Sequence, residues 1–141
     1  MIVLDASVLA NAVGDDGPDG PDGAAARAVR AARAVIAAET VIAVPDLANI
    51  ETVAVLRKRW IARTLDDERF TAAVEDYAAF GFVRYPTLGL LGRIAELRAN
   101  VTAYNATYIA LAEALDCALV TGDARLSRAS GPRCPIRTLT T

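Results

Sequence analysis

At 141 residues, 54% of them hydrophobic, the chain is sized for a single domain (1–141) with an unstapled core, and its net charge of −2 gives no global support for nucleic-acid binding. Histidine is absent, which excludes Ser-His-Asp and Cys-His nucleophile systems, imidazole bases and the common His-bearing zinc sites. Catalysis is left to carboxylates, hydroxyls and arginines, so hard-cation chemistry through oxygen ligands is the natural remaining class.

The chain opens with Met1-Ile2-Val3-Leu4, four apolar residues in a row that predict a short strand buried on both faces and deliver Asp5, Ala6 and Ser7 at its end. Ligands of open parallel sheets bind outside the carboxyl ends of strands, while an Asp before a helical run is also a favoured N-cap, so Asp5 carries both readings. Ser7 to Val13 is helical and stops at Gly14. Asp15 to Gly23 is saturated with turn residues and reads as a mobile acidic surface loop. It lacks the terminal glutamate and flanking spacing of a calcium-binding EF-hand. Ala24 to Ala38 is an alanine-rich helix, Val41 to Val44 a second strand ended by Pro45, and Asp46 to Arg63 a helix with Leu47, Ile50, Val53, Ala54 and Ile61 on related faces.

Leu65 to Ala79 is the next helix, with Asp66, Asp67 and Glu68 at its positive end. Phe82 to Tyr85 predicts a third strand and Leu88 to Arg98 a helix. Thr102 to Leu115 is a helix carrying Tyr104, Tyr108, Leu111 and Leu115 on one face. Cys117 to Thr121 is a fourth strand with Cys117 buried in it, Ala124 to Arg128 a short helix, and Ile136 to Leu139 an edge strand. This alternation predicts an α/β fold, a parallel sheet with helices on both faces. No run approaches the ~18 apolar residues of a membrane span and no signal-like segment opens the chain, so a cytoplasmic protein with free thiols at Cys117 and Cys134 is expected.

Two further acids stand out. Glu51 lies inside its helix beside Ile50, an acid on the flank of an apolar stripe; pairing with Arg57 or Lys58 would account for it as a surface residue. Asp123 follows the strand Ala118-Leu119-Val120-Thr121 across Gly122, again just past a carboxyl end, with a cap for the next helix as its alternative role. Two strand-end carboxylates converge when their strands are adjacent. Asn105 is a neutral residue in the first turn of its helix.

Taken in order, Asp5-Ala6-Ser7-Val8-Leu9, Glu51 within Leu47 to Val53, Asn100-Val101-Thr102-Ala103-Tyr104-Asn105-Ala106 and Leu119 to Leu126 resemble a PIN domain. Among PIN domains they are most similar to the VapC-type toxins of bacterial toxin–antitoxin pairs, over essentially the whole chain. The resemblance implies a three-layer α/β/α sandwich with a central, mainly parallel sheet. It also implies a Mg2+- or Mn2+-dependent endoribonuclease, commonly dimeric and inhibited by a cognate antitoxin protein. Asp5 matches the family's first acid, Glu51 its second and Asp123 its fourth; Ser7 and Thr121 match the supporting hydroxyls. The third acid, normally aspartate in a Tyr-Asp-Ala context, is Asn105 here.

An amide oxygen at 105 still ligates a hard cation but removes one negative charge, which weakens metal binding and relieves repulsion among the remaining acids. Asn105 is compatible with an engineered inactivation, a natural low-activity variant or a working site with three acids. Arg93, Arg98 and Arg125 are candidates to anchor RNA, although solvated helix surface is the better account of any one of them alone. The rival readings are a PIN-like module that binds RNA or an antitoxin without cutting, and a flavodoxin-like phosphate binder. The latter needs a Gly-rich loop where this chain has Asp5, which would repel phosphate.

Overall fold

Strand β1 (Ile2–Leu4) is buried along its whole length because sheet partners flank it and helices cover both its faces. The computed structural model describes residues 1–15, 17 and 19–139. With β2 (Ile42–Pro45), β3 (Val83–Tyr85), β4 (Ala118–Thr121) and β5 (Ile136–Thr138), β1 forms a five-stranded sheet of order β3-β2-β1-β4-β5. Every pairing is parallel, and Val3 lies opposite Ala43 on one side and Leu119 on the other.

The helices are α1 (Ala6–Val13), α2 (Ala24–Ala38), α3 (Leu47–Ile61), α4 (Asp67–Ala79), α5 (Leu91–Glu96) and α6 (Ala103–Ala114). Chain direction sorts them into layers. From β1 to β2 to β3 the chain steps one way across the sheet, and right-handed crossovers place α1 to α4 on one face. From β3 it crosses back to β4, which places α5 and α6 on the other. The packing agrees: α1 rests on α2, α3 and α4, whereas α6 lies against β1, β2 and β4 with α5 beside it. The fold is the expected α/β/α arrangement.

Several local expectations change. Val44 does not end β2; Pro45 continues it opposite Tyr85, a position at the strand end where a missing N–H is tolerated. The helix expected from Leu88 splits into a 3-10 turn (Leu88–Leu90) and the short α5, and the one after Asp123 shrinks to a 3-10 turn at Leu126–Arg128. On α3 the buried positions are Ala48, Thr52 and Leu56, with Ile50 73% exposed. On α6 every residue from Ala106 to Ala112 is buried, while Tyr104 stands out in solvent. Cys117 is half-buried and lies just ahead of β4 rather than within it; both cysteines are free thiols. Of the loop read between Asp15 and Gly23, Asp16 and Pro18 lie outside the described residues. No described helix is long and apolar enough to cross a membrane.

The carboxyl end of α1 is closed from outside. This helix has no basic residue in its last turn, and two arginines from other helices supply the missing donors. Arg33 of α2 donates to the carbonyls of Ala12 and Gly14 at 3.0 and 3.1 Å, and Arg59 of α3 donates to the Asn11 side-chain oxygen at 2.6 Å. Both guanidinium groups also complement the negative pole of the helix. α1 is thereby pinned at the end opposite Asp5.

Candidate metal centre

Asp5 is both things its sequence position allowed. It ends β1, and its side chain caps α1 by accepting from the Val8 N–H at 3.3 Å. The strand order makes the place special. The chain turns one way from β1 and arrives from the other at β4, so the crevice between their carboxyl ends is the topological switch point, where ligands of open α/β sheets bind.

Two hydroxyls hold the Asp5 carboxylate there. Ser7 Oγ donates to Oδ1 at 2.5 Å, and Thr121 Oγ1, at the end of β4, donates to Oδ2. Each hydroxyl accepts in turn from a backbone N–H just beyond β4: Gly122 N–H to Ser7 Oγ at 3.0 Å and Asp123 N–H to Thr121 Oγ1 at 3.0 Å. The paired chains orient both hydroxyl protons toward Asp5. Burial pushes the Asp5 carboxyl up, and the hydrogen bonds from Ser7, Thr121 and the backbone pull against it. Oδ1 takes the bonds from Ser7 Oγ and the Val8 N–H, and Oδ2 takes the one from Thr121.

Glu51 enters from the second turn of α3. It is half-buried and makes no ion pair with Arg57 or Lys58 among the described contacts; its Oε1 is inaccessible and unpaired. Burial raises its carboxyl, the Tyr108 hydroxyl facing it pulls it down, and the Asp5 charge pushes it up again. Burial and then the two carboxylates drive the Tyr108 phenol upward. Asn105 sits in the first turn of α6, whose N-cap Thr102 accepts from the Asn105 N–H at 3.2 Å. Asp123 is engaged differently: both its oxygens meet the Arg125 guanidinium at 3.1 Å, and Arg125 N–H donates to it at 2.9 Å. Arg125 holds the Asp123 carboxyl below the usual carboxylate range.

Asn105 and Asp123 line one open cleft of about 580 Å³, and Arg98 and Arg125 line it with them. Arg93 does not reach it. That guanidinium is tied to Glu113 at 2.8 Å, to Glu96 and to the Gly131 carbonyl, and it lines a separate cavity with Cys117 and Cys134. Of the three arginines expected to anchor RNA, Arg98 and Arg125 line this cleft and Arg93 lines the other cavity.

The donors suit a hard divalent cation. They are all oxygens, and the buried Oε1 of Glu51 lacks any hydrogen-bond partner. Among the described residues no three His, Cys, Asp or Glu side chains group closely enough to hold a metal ion, so Asp5, Glu51 and Asp123 are not drawn into one cluster. Mg2+ does not require such a cluster; it binds through one or two carboxylates and keeps several waters. Two contributors went unnoticed in the sequence. A Cβ on Gly122 would sit 3.0 Å from Ser7 Oγ, so a side chain there would press on the hydroxyl that donates to Asp5. Tyr108 reads as apolar core until its neighbour is known.

An open parallel sheet with an acid at its switch point, hydroxyls beside it and a second acid on the following helix defines a class. The chain belongs to the PIN domain family, whose model matches residues 2–132. Within the family its relatives are VapC ribonucleases. Ribonuclease VapC9 of Mycobacterium tuberculosis is 41% identical over 136 residues, 96% of either chain. Ribonuclease VapC1 of the same organism is 37% identical over 100 residues, 70% of this chain and 75% of the relative. In structure the chain is similar to M. tuberculosis VapC20, described as a sarcin-ricin loop cleaving toxin, with a TM-score of 0.67, 16% identity and coverage of 91% and 94%.

Proposed function

We propose that this chain is a Mg2+- or Mn2+-dependent endoribonuclease, the toxin of a toxin–antitoxin pair. Its site is formed by Asp5, Glu51, Asn105 and Asp123, with Ser7 and Thr121 in support. The observation that carries this reading is the Asp5 carboxylate, fixed by two hydroxyls at the switch point. The ribonuclease names of its VapC relatives support the reaction class.

A bound divalent cation supplies charge at a phosphoryl oxygen and lowers the pKa of water. The chain's own residues do the rest. Asp5 and Glu51 hold the cation as carboxylates, and Asn105 offers its amide oxygen. Ser7 and Thr121 donate to Asp5 and so favour its ionised form. Asp123 becomes available as Arg125 turns from it to an RNA phosphate, and Arg98 binds the phosphate backbone along the same cleft. The partners we propose are RNA, a cognate antitoxin protein and a second copy of the chain, in the cytoplasm. Apolar side chains exposed beside the site support a protein partner: Ile50 precedes Glu51 and Tyr104 precedes Asn105.

A second reading, a PIN-like module that binds RNA or antitoxin without cutting, is favoured by Asn105 and by the Arg125–Asp123 pair. One assay separates them. With a short RNA and Mn2+, the chain is expected to cleave slowly, and chelation by EDTA abolishes the cleavage. Asp5→Asn lowers the rate about 100-fold and Asn105→Asp raises it about 10-fold, the scale on which a metal's surrounding groups act. Cleavage that survives EDTA or Asp5→Asn overturns the metal reading. Silence in both the parent and Asn105→Asp selects the non-cutting module.

A further inference from the structure

One turn beyond Asn105, α6 buries a hydroxyl that its packing does not need. Tyr108 is 2% exposed, and its Oη is inaccessible and without a hydrogen-bond partner. Burying a phenolic hydroxyl unpaired is unfavourable, and phenylalanine would fill the same space without it. The group this hydroxyl faces is the Glu51 carboxylate, with Asp5 beyond it. The Oε1 of Glu51 has the complementary defect, an acceptor shut from solvent and unpaired.

Neighbouring hydroxyls are oriented elsewhere. Tyr77 donates to the Asn49 side chain at 2.9 Å, and Ser7 and Thr121 donate to Asp5, while the buried Thr52 hydroxyl, also without a hydrogen-bond partner, lies on the Tyr77 side. Among the described residues no arginine or lysine pairs with Glu51. A lone buried donor thus meets a lone buried acceptor on the helix that also carries Asn105.

We infer that Tyr108 is a positioning residue for this centre: its O–H, which no other group among the described residues takes up, is the donor offered to the Glu51 carboxylate and favours that side chain turned toward Asp5 over one turned outward to solvent. The inference rests on the metal-dependent reading. It assigns α6 two tasks, one ligand position at 105 and one orienting hydroxyl at 108, set a helical turn apart so that both face the carboxyl ends of the strands. Groups that orient metal ligands change affinity by about 10- to 100-fold when removed.

The test is Tyr108→Phe, which keeps the ring in the core and deletes only the hydroxyl. Free Mn2+ is followed by electron paramagnetic resonance during titration of the metal-free protein, alone and in a Glu51→Gln background, with a thermal melt of each variant. Tyr108→Phe is expected to weaken Mn2+ binding about 10-fold, to leave the metal-free melting midpoint unchanged or raised, and to change Mn2+ affinity less than about 2-fold once Glu51 is Gln. Unchanged affinity in Tyr108→Phe, or an equal loss in the Glu51→Gln background, overturns the positioning role and leaves the metal reading standing. A parent chain that takes up no Mn2+ at millimolar concentration overturns both.

Discussion

Glu51 is a carboxylate facing another carboxylate, with no arginine or lysine paired to it among the described residues, and that arrangement makes stability depend on pH. Burial first, and the Asp5 charge after it, raise its carboxyl against the opposing pull of Tyr108. The folded chain therefore holds a proton that the unfolded chain has already released. Between the unfolded and folded values, stability falls as pH rises. Glu51→Gln removes this effect. Without metal, its melting midpoint at pH 7 is expected to exceed that of the parent by on the order of 2 °C, a small shift because the half-open side chain is screened by solvent. The gap should close as pH drops to where Glu51 takes up its proton, and a gap that widens there would refute the assignment. At this scale Asp5 was legible in the sequence, since strand end and helix cap are the same residue and both roles hold. Glu51 was half legible: its anomalous place on an apolar flank was visible, its partner was not. Tyr108 was hidden because a tyrosine at core spacing looks the same whether or not its hydroxyl serves a carboxylate.

The helices that position these residues are held by contacts between elements distant in sequence. α1 begins at Asp5 and is clamped at its other end by Arg33 and Arg59, so the clamp bears on the geometry of the site through a rigid helix of eight residues. Replacing Arg59 by Met keeps the stem and removes donors to the Ala10 carbonyl and the Asn11 side chain. The expected cost is about 1–2 kcal/mol, which lowers the melting midpoint by roughly 3–6 °C in a domain of this size; an unchanged midpoint means the clamp is ornamental. Helix positions were readable because Gly14, Pro45 and the acidic start of α4 punctuate the chain. Helix faces were less so. Hydrophobic spacing put Ile50 and Ile61 of α3 inward, whereas the covered series is Ala48, Thr52 and Leu56, small or polar at two of three positions. Small residues let α3 approach its neighbours closely, and the larger apolar ones remain outside. On α6 a one-sided stripe was expected, but a helix sandwiched between the sheet and α5 is buried around its circumference.

Across the molecule, strand order decides which distant residues meet. Alternating strands and helices predicted a parallel sheet, but the adjacency of β1 and β4 that joins Asp5 to Thr121, and brings Asp123 to the same edge, is a property of the topology alone. The same topology divides the arginines. Arg98 and Arg125 border the cleft shared by Asn105 and Asp123, while Arg93 is neutralised by Glu113 and Glu96 at a separate cavity. If RNA runs along the cleft, its phosphates meet the first two and not the third. Each phosphate neutralised on a single strand contributes about 0.7 to the slope of log affinity against log salt. The double variant Arg98→Gln, Arg125→Gln is therefore expected to flatten that slope by about 1.4, measured by fluorescence anisotropy with a 2′-O-methyl RNA that cannot be cut. Arg93→Gln should leave the slope as it is, because its guanidinium lies at the separate cavity and not along the cleft. A slope unchanged in the double variant, or lost in Arg93→Gln, would move the RNA path away from the Asp123 cleft and toward the opposite cavity.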